Sequence, residues 1–206
     1  MSKKTLAEHK AYFLNAEHLL VLANAILHSD SYKLSHKSME PVGTQRIYAN
    51  WTPRSDKYFR RDYPDFDGKV VAFGLQSFVI QELMCSWKVG FFDRPLEVVM
   101  AEIEDILFPY VGMNRSVLKH IEALHKLGFL PVRVKAVKEG TLVPIGIPMA
   151  TFDNTDKAHS WTTNYIESVT SDEIWKPMTT ATAAREFAKL RDRWWDETVV
   201  DHTFKQ

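Results

Sequence analysis

The sequence predicts a single α+β unit. Apolar residues recur at helical spacing through most of the chain ahead of Pro131, and the period changes to two from Pro131 onward. No internal repeat or low-complexity linker interrupts the 206 residues, so helices and strands are expected to share one core. A hydrophobic content of 45% is enough to build that core at this length.

Leu6 to Leu27 carry apolar positions at mixed three and four spacing, which suits one or two N-terminal helices. Asp30 is placed to cap a short helical turn through Ser31, Tyr32 and Lys33, because a carboxylate accepts orphan backbone N–H bonds; the turn would fix the direction of Tyr32. Thr44 to Trp51 is rich in β-branched and aromatic residues and reads as a strand. It ends at Thr52-Pro53-Arg54, where proline stops ladder pairing and Arg54 is delivered at the strand end. Arg60 to Gly68 reads as a polar loop, followed by a strand from Lys69 to Phe73. Gly74 opens a helix from Leu75 to about Trp87, with Phe78, Val79, Leu83 and Trp87 on one face. Pro95 begins a second helix running toward Phe108, and a third from Ser116 to Lys126 stops at Gly128.

Beyond Pro131, Val132, Val134 and Ala136 share one face of a strand, and Glu139-Gly140 makes a turn. Pro144, Gly146 and Pro148 divide Leu142 to Phe152 into short, bent strands. Asn154-Thr155-Asp156 is read as the cap of a helix with Trp161, Tyr165 and Val169 in register. The last helix, about Thr180 to Glu197, gathers Phe187, Leu190 and Trp194, with Ala184, Ala188 and Trp195 beside them.

Composition removes several function classes. Lys plus Arg equals Asp plus Glu at 26 each, so no global field draws the chain to nucleic acid or an anionic membrane. Arg185, Lys189, Arg191 and Arg193 near Trp194 and Trp195 are interrupted by Glu186, Asp192, Asp196 and Glu197, the pattern of a docked helix. Leu19 to Leu27 is broken by Asn24 and preceded by Glu17 and His18, so it does not read as a secretory signal, and no apolar run approaches a membrane span. The lone Cys85 lies in an apolar-periodic stretch and is expected to be a buried small hydrophobe in a cytoplasmic protein. His120 and His125 lack metal-ligand spacing and are placed on a solvated or half-buried helix face. No phosphate-binding glycine loop and no Ser-His-Asp order is present.

Several segments taken in order do resemble a known family. They are Asp30-Ser-Tyr-Lys33 with His36, Lys135 to Gly146, Phe152 to Asp156, Trp161 to Glu167, and Thr179 to Thr182 with Ala184-Arg-Glu186. Over roughly Ala25 to Glu186 the chain closely resembles the N-terminal half of the nicotinamide phosphoribosyltransferases, which are type II phosphoribosyltransferases. The resemblance implies a mainly antiparallel sheet flanked by helices. It divides the chain into an N-terminal helical extension (1–24), the α+β domain (25–178) and a helix leading into an absent barrel (179–206).

The resemblance also implies a reaction: nicotinamide plus phosphoribosyl pyrophosphate gives nicotinamide mononucleotide and pyrophosphate, with Mg2+ accompanying the pyrophosphate substrate and no metal ligand expected from this chain. It makes Tyr32 the residue that stacks on the nicotinamide ring of a neighbouring subunit, an aromatic face suited to an electron-poor ring. Arg54 becomes a phosphate-binding fork, although Trp51-Thr-Pro53 ahead of it departs from the family pattern, and Asp30 is a third candidate. No catalytic residue is expected within the chain, and the partner is either a second copy or a C-terminal-half chain. A non-catalytic interaction subunit and a nicotinate-using relative are the alternatives.

Overall fold

The computed structural model describes residues 24–115 and 117–199. The helices expected ahead of Asn24 lie outside the described residues, and the third helix, expected from Ser116, starts only at Lys119, with Leu118 at its N-cap. Among those described, no helix is long and apolar enough to cross a membrane.

The strands form two small antiparallel sheets. In the first, β1 (Tyr48–Trp51) and β3 (Val132–Ala136) flank β5 (Ala150–Asn154), with Tyr48 opposite Asp153 and Val132 opposite Asn154. In the second, β2 (Lys69–Val71) pairs with β4 (Leu142–Pro144). The short, bent strands expected between Leu142 and Phe152 are β4 and β5. The strand expected from Thr44 starts only at Tyr48, because the Asn154 side chain takes the bonds the ladder would have made. Its Oδ1 accepts from the Ile47 N–H at 2.8 Å and its Nδ2 donates to the Gln45 carbonyl at 2.9 Å. Asn154 therefore pins a strand end and caps no helix; Asp156 does the capping, accepting from the Ala158 N–H at 2.8 Å.

Among the described residues, seven α-helices surround the sheets: α1 (Lys33–Met39), α2 (Lys57–Asp62), α3 (Leu75–Phe78), α4 (Leu96–Val111), α5 (Lys119–Leu127), α6 (Thr162–Tyr165) and α7 (Glu167–Thr198). Helix α2 replaces the loop expected at Arg60, because Phe59 packs on Tyr63 and Phe66 with ring centroids 4.5 and 4.8 Å apart. After α3 the chain continues in wider π-type turns through Val79–Ser86 and Lys88–Phe92, where the Asp93 N–H reaches back five residues to the Lys88 carbonyl at 2.8 Å. That widening explains the buried set Phe78, Leu83, Trp87 and Phe91, whose first step is five residues. It also overturns the expectation for Cys85, which is exposed because it lies between the core-facing Leu83 and Trp87.

Helix α4 runs past the expected stop and through Pro109, ending at Gly112 with φ 71°. Helix α7 is a single 32-residue helix crossing Pro177 and the 178/179 position, where a shorter one from Thr180 was expected. It packs tightly on the start of α3: a Cβ on Gly74, whose φ is +88°, would lie 2.7 Å from Pro177 Cγ. The core is built from α4, α5 and α7, with Val99, Met100, Ile103, Ile121, Leu124 and Ile174 fully buried. Glu139 adds a tie the sequence did not suggest, accepting from the backbone N–H groups of Gly74 and Gln76 at 2.9 and 2.7 Å.

Candidate functional site

Residues 29–40 lie across the junction of α6 and α7, held by named bonds. Ser29 Oγ donates to the Tyr165 carbonyl at 3.1 Å, and the Tyr165 hydroxyl donates to the Ile26 carbonyl at 2.6 Å. Burial pushes the Tyr165 phenol well above its ordinary range, so it stays a neutral donor. The Lys33 side chain is buried and its ammonium pairs with Glu167. At the other end of α1, Lys37 pairs with Glu40 at 2.9 Å, and Ser160 Oγ donates to the same carboxylate at 3.2 Å.

Asp30 and Tyr32 are brought together on this segment. The Asp30 N–H donates to Ser168 Oγ at 3.0 Å, and Ser168 Oγ donates to the Asp30 carboxylate at 2.6 Å. That hydroxyl, helped by the Tyr32 phenol and by Lys33, holds the Asp30 carboxyl below its usual range against a smaller opposing effect of burial. The hydrogen bond to Asp30 in turn pushes the Tyr32 phenol up. Asp30 does not cap the turn with its side chain, as the sequence suggested. Tyr32 occupies the N-cap position of α1 without a side-chain bond, and only the Asp30 carbonyl serves the turn, accepting from the Lys33 N–H at 3.0 Å. The Tyr32 ring is 56% exposed, with the His36 ring centroid 5.5 Å away and the Lys33 ammonium 5.1 Å from its own centroid. One face of a neutral phenol is therefore offered outward, with cationic character beside it.

Arg54 sits elsewhere, three residues beyond the end of β1, exposed in an irregular segment between Pro53 and Ser55. The backbone there is fixed by the Gly146 N–H, which donates to the Pro53 carbonyl at 2.8 Å. Among the described residues no hydrogen bond or ion pair holds the Arg54 guanidinium. Asp30 lines a cavity with Ile26, Ser29 and Tyr110, and neither Arg54 nor Tyr32 is among its lining residues. By contrast, the other basic residues singled out in the sequence are neutralised. Arg185 meets Asp67 at 2.6 Å, Lys189 meets Glu186 at 2.7 Å, Arg191 meets Asp192 at 2.8 Å and Arg193 meets Asp65 at 3.5 Å. Those pairs leave little free charge for a nucleic-acid backbone.

Among the described residues no three His, Cys, Asp or Glu side chains gather to hold a metal. His125 Nε2 lies 2.8 Å from the Arg94 carbonyl, and the His120 ring packs edge-on against Trp161 at 4.8 Å. The sequence reading missed Glu167 and Ser168, the residues that secure the Asp30–Lys33 segment. Ordinary helix residues in sequence, they become partners only when α7 passes beneath the turn.

No protein-family model matches the chain. Curated relatives do. The chain is 42% identical over 161 residues to the nicotinamide phosphoribosyltransferase of Acinetobacter baylyi, a match covering 78% of this chain and 32% of that protein. It is 30% identical over 172 residues to the nicotinamide phosphoribosyltransferase of Xanthomonas campestris pv. campestris, covering 82% of this chain and 32% of the relative. A third nicotinamide phosphoribosyltransferase, from Mycoplasma genitalium, is 25% identical over 194 residues, covering 87% of this chain and 41% of the relative. The chain is thus a homologue of one stretch of the phosphoribosyltransferases. More narrowly, it is a homologue of proteins named nicotinamide phosphoribosyltransferase, and it spans about a third of the length of the first two of these relatives.

Proposed function

We propose that this chain supplies part of the substrate site of a nicotinamide phosphoribosyltransferase, joining nicotinamide to phosphoribosyl pyrophosphate with release of pyrophosphate, in NAD salvage. The observation that supports this most is the presentation of Tyr32. Its ring is 56% exposed on a segment whose neighbours are all tied down, in a chain 42% identical to an enzyme of that name. An exposed aromatic fixed at its backbone gives a stacking wall at low entropic cost, and an electron-poor pyridine ring suits it. The nearby Asp30 carboxyl raises the pKa of the phenol and so favours its neutral form.

Arg54, without a partner among the described residues, offers a guanidinium fork to the pyrophosphate, where two parallel charge-assisted bonds favour a dianionic oxygen pair over a single charge. Because Tyr32 and Arg54 are apart within one chain, the proposal has them complete a site whose other wall comes from a second copy or from sequence outside the matched stretch. Bond making at the ribose carbon then depends on positioning the base and holding the leaving group. Mg2+ would travel with phosphoribosyl pyrophosphate; no step here is assigned to it.

The test is a nicotinamide mononucleotide assay on this chain alone and on this chain combined with the unmatched two thirds of the Acinetobacter relative. Activity is expected only in the combination. There, Tyr32→Ala should weaken nicotinamide binding by up to about tenfold, the scale of one aromatic stack. Arg54→Ala should raise the requirement for phosphoribosyl pyrophosphate far more than that for nicotinamide. Turnover by the chain alone, or a formed complex that stays inactive, would reject the reading. A second reading, a non-catalytic interaction subunit, is favoured by Phe187 and Trp194, which are 62% and 56% exposed on α7. An inactive complex is its expected outcome.

A further inference from the structure

Tyr32 is the third residue of a four-residue turn, Asp30 to Lys33, which the Lys33 N–H closes by donating to the Asp30 carbonyl at 3.0 Å. Two consecutive residues in the first turn of α7 hold the two ends of that turn: Ser168 holds Asp30 and Glu167 holds Lys33. The Ser168 grip is double. Its Oγ accepts from the Asp30 N–H at 3.0 Å and donates to the Asp30 carboxylate at 2.6 Å, so one hydroxyl fixes both the backbone and the side chain of a residue 138 positions away. A short side chain that donates and accepts through a single atom in this way is a hydroxyl. Glu167 grips less firmly, because its side chain is 63% exposed and water competes for the Lys33 ammonium. Tyr32 itself makes no side-chain bond at the N-cap of α1. The stand of its ring therefore follows the anchored turn, and the turn is anchored best at Ser168.

Resting on the reading that Tyr32 forms the nicotinamide wall, we propose that Ser168 is its positioning residue: by clamping Asp30 at two points it sets where the Tyr32 ring stands, and so governs affinity for the base without touching it. The physical reason is entropic. A ring that is 56% exposed has little packing to confine it, and a ring already held at its backbone gives up less freedom when a ligand stacks on it. The effect should be confined to the base. Arg54 is fastened separately, through the Gly146 N–H that donates to the Pro53 carbonyl at 2.8 Å, so loosening the Asp30 turn leaves the phosphate fork as it was.

Ser168→Ala, Ser168→Thr and a control on the same helix, Thr179→Ala, are compared with wild type. Thr179 Oγ1 donates to the Trp175 carbonyl at 2.7 Å about three turns further along α7, so its loss is a structural change that does not reach the turn. The first readout needs no turnover: ring-carbon NMR titration of the Tyr32 phenol in the purified 206-residue chain. In Ser168→Ala the untethered Asp30 carboxylate turns to water, and the phenol should titrate lower, toward its ordinary value of 10.0. Ser168→Thr and Thr179→Ala should titrate as wild type. The second readout is the assay with the unmatched two thirds of the Acinetobacter relative. There, Ser168→Ala should raise KM for nicotinamide about three- to fivefold, the scale of one net hydrogen bond, and leave KM for phosphoribosyl pyrophosphate unchanged. Ser168→Thr should restore nicotinamide use, and Ser168→Cys, which keeps the volume, gives the same reading as Ser168→Ala should that variant fail to fold. An unmoved phenol overturns the proposal, as does a nicotinamide KM that stays at the wild-type value in Ser168→Ala while Tyr32→Ala raises it. Equal rises for both substrates, or no rescue by Ser168→Thr, would also overturn it, since general loosening of the fold does that. An inactive combination, or a Tyr32→Ala variant with unchanged nicotinamide use, removes the transferase role of Tyr32 and the proposal with it, while the phenol titration still reports the clamp; the two failures are thereby told apart.

Discussion

Residues 29–40 and residues 53–58 hold the candidate site residues, and they are anchored differently. The first segment is fastened by side chains from distant parts of the chain: Ser168 to Asp30, Glu167 to Lys33, and Ser160 to Glu40. The second is fastened by backbone bonds and local pairs, such as Gly146 to Pro53 and Arg60 to Asp56, and it leaves Arg54 and Lys57 free of ion pairs among the described residues. A stacking wall needs fixed geometry, whereas a phosphate fork needs available charge; the two anchoring schemes are compatible with the roles proposed above for Tyr32 and Arg54. The difference can be broken experimentally, because perturbing the first segment should alter stability and perturbing the second should not.

The largest effect expected is acid-driven and centres on His120, which faces the first segment. Burial, reinforced by the nearby Lys37, pushes its imidazole down to about 4. An unfolded chain protonates this histidine near its ordinary value of 6.5, while the folded chain resists protonation. Stability from His120 is therefore fully present above about pH 6.5 and is lost as pH falls toward about 4, to a total of about 3 kcal/mol. Urea unfolding of wild type and His120→Gln across pH 7 to about 4 checks the sign. The wild-type curve should lose stability more steeply, and parallel curves would show that His120 is not held neutral.

Next comes the Lys33–Glu167 pair. Glu167→Ala would leave a buried ammonium without its partner; because the Glu167 side chain is 63% exposed and water can reach the site, the cost should be about 1–2 kcal/mol. Lys33→Met, which removes the charge and keeps the volume, should cost less than Glu167→Ala. Denaturant midpoints order the two variants, and the reverse order would mean that Lys33 is not effectively buried.

A smaller change is expected from Ser168→Ala. The Asp30 carboxyl loses the hydroxyl chiefly responsible for its lowered pKa, so its titration should move up toward the usual carboxylate range. Wild-type stability from this group is present above the unfolded carboxyl pKa and is lost as pH falls through the lower folded value, and the variant should show less of that dependence. Carbon-detected NMR titration of Asp30 reads it directly, and an unmoved carboxyl would assign the shift to Tyr32 or Lys33 instead.

What the sequence made legible follows the same division. Asp30-Ser-Tyr-Lys33 and the turn glycines Gly74, Gly128 and Gly140 could be read because each acts over a few residues; all three glycines have positive φ. Arg54 was placed correctly after a strand because Pro53 ends ladder pairing locally. The misses arose where distant residues decide. Asn154 was read as a cap because its pull on residues 45–47 crosses a sheet, and Cys85 as buried because a widened helix shifts the periodicity. The length of α7 was missed because proline at 177 reads as a breaker, yet Gly74 packs against that proline within an unbroken helix. Glu167 only closed the Trp161 to Glu167 segment and Ser168 lay in no motif, so neither was given a role; their position beneath the turn supplies it.

The smallest expected effect is the one that would most sharpen the comparison. Arg54→Ala removes an exposed guanidinium that bonds to nothing among the described residues, so no buried partner is left unsatisfied and no cavity is opened. Stability should stay within about 0.5 kcal/mol of wild type, the usual range for surface substitutions away from special features. Circular dichroism melts and denaturant curves should superimpose, while phosphoribosyl pyrophosphate use in the assembled enzyme falls. A variant that loses both would mean that Arg54 supports the turn itself, and the loss of substrate use could then no longer be credited to the guanidinium fork. Arg54→Lys separates the last possibilities: a point charge should restore only part of the substrate effect and should be as stable as wild type.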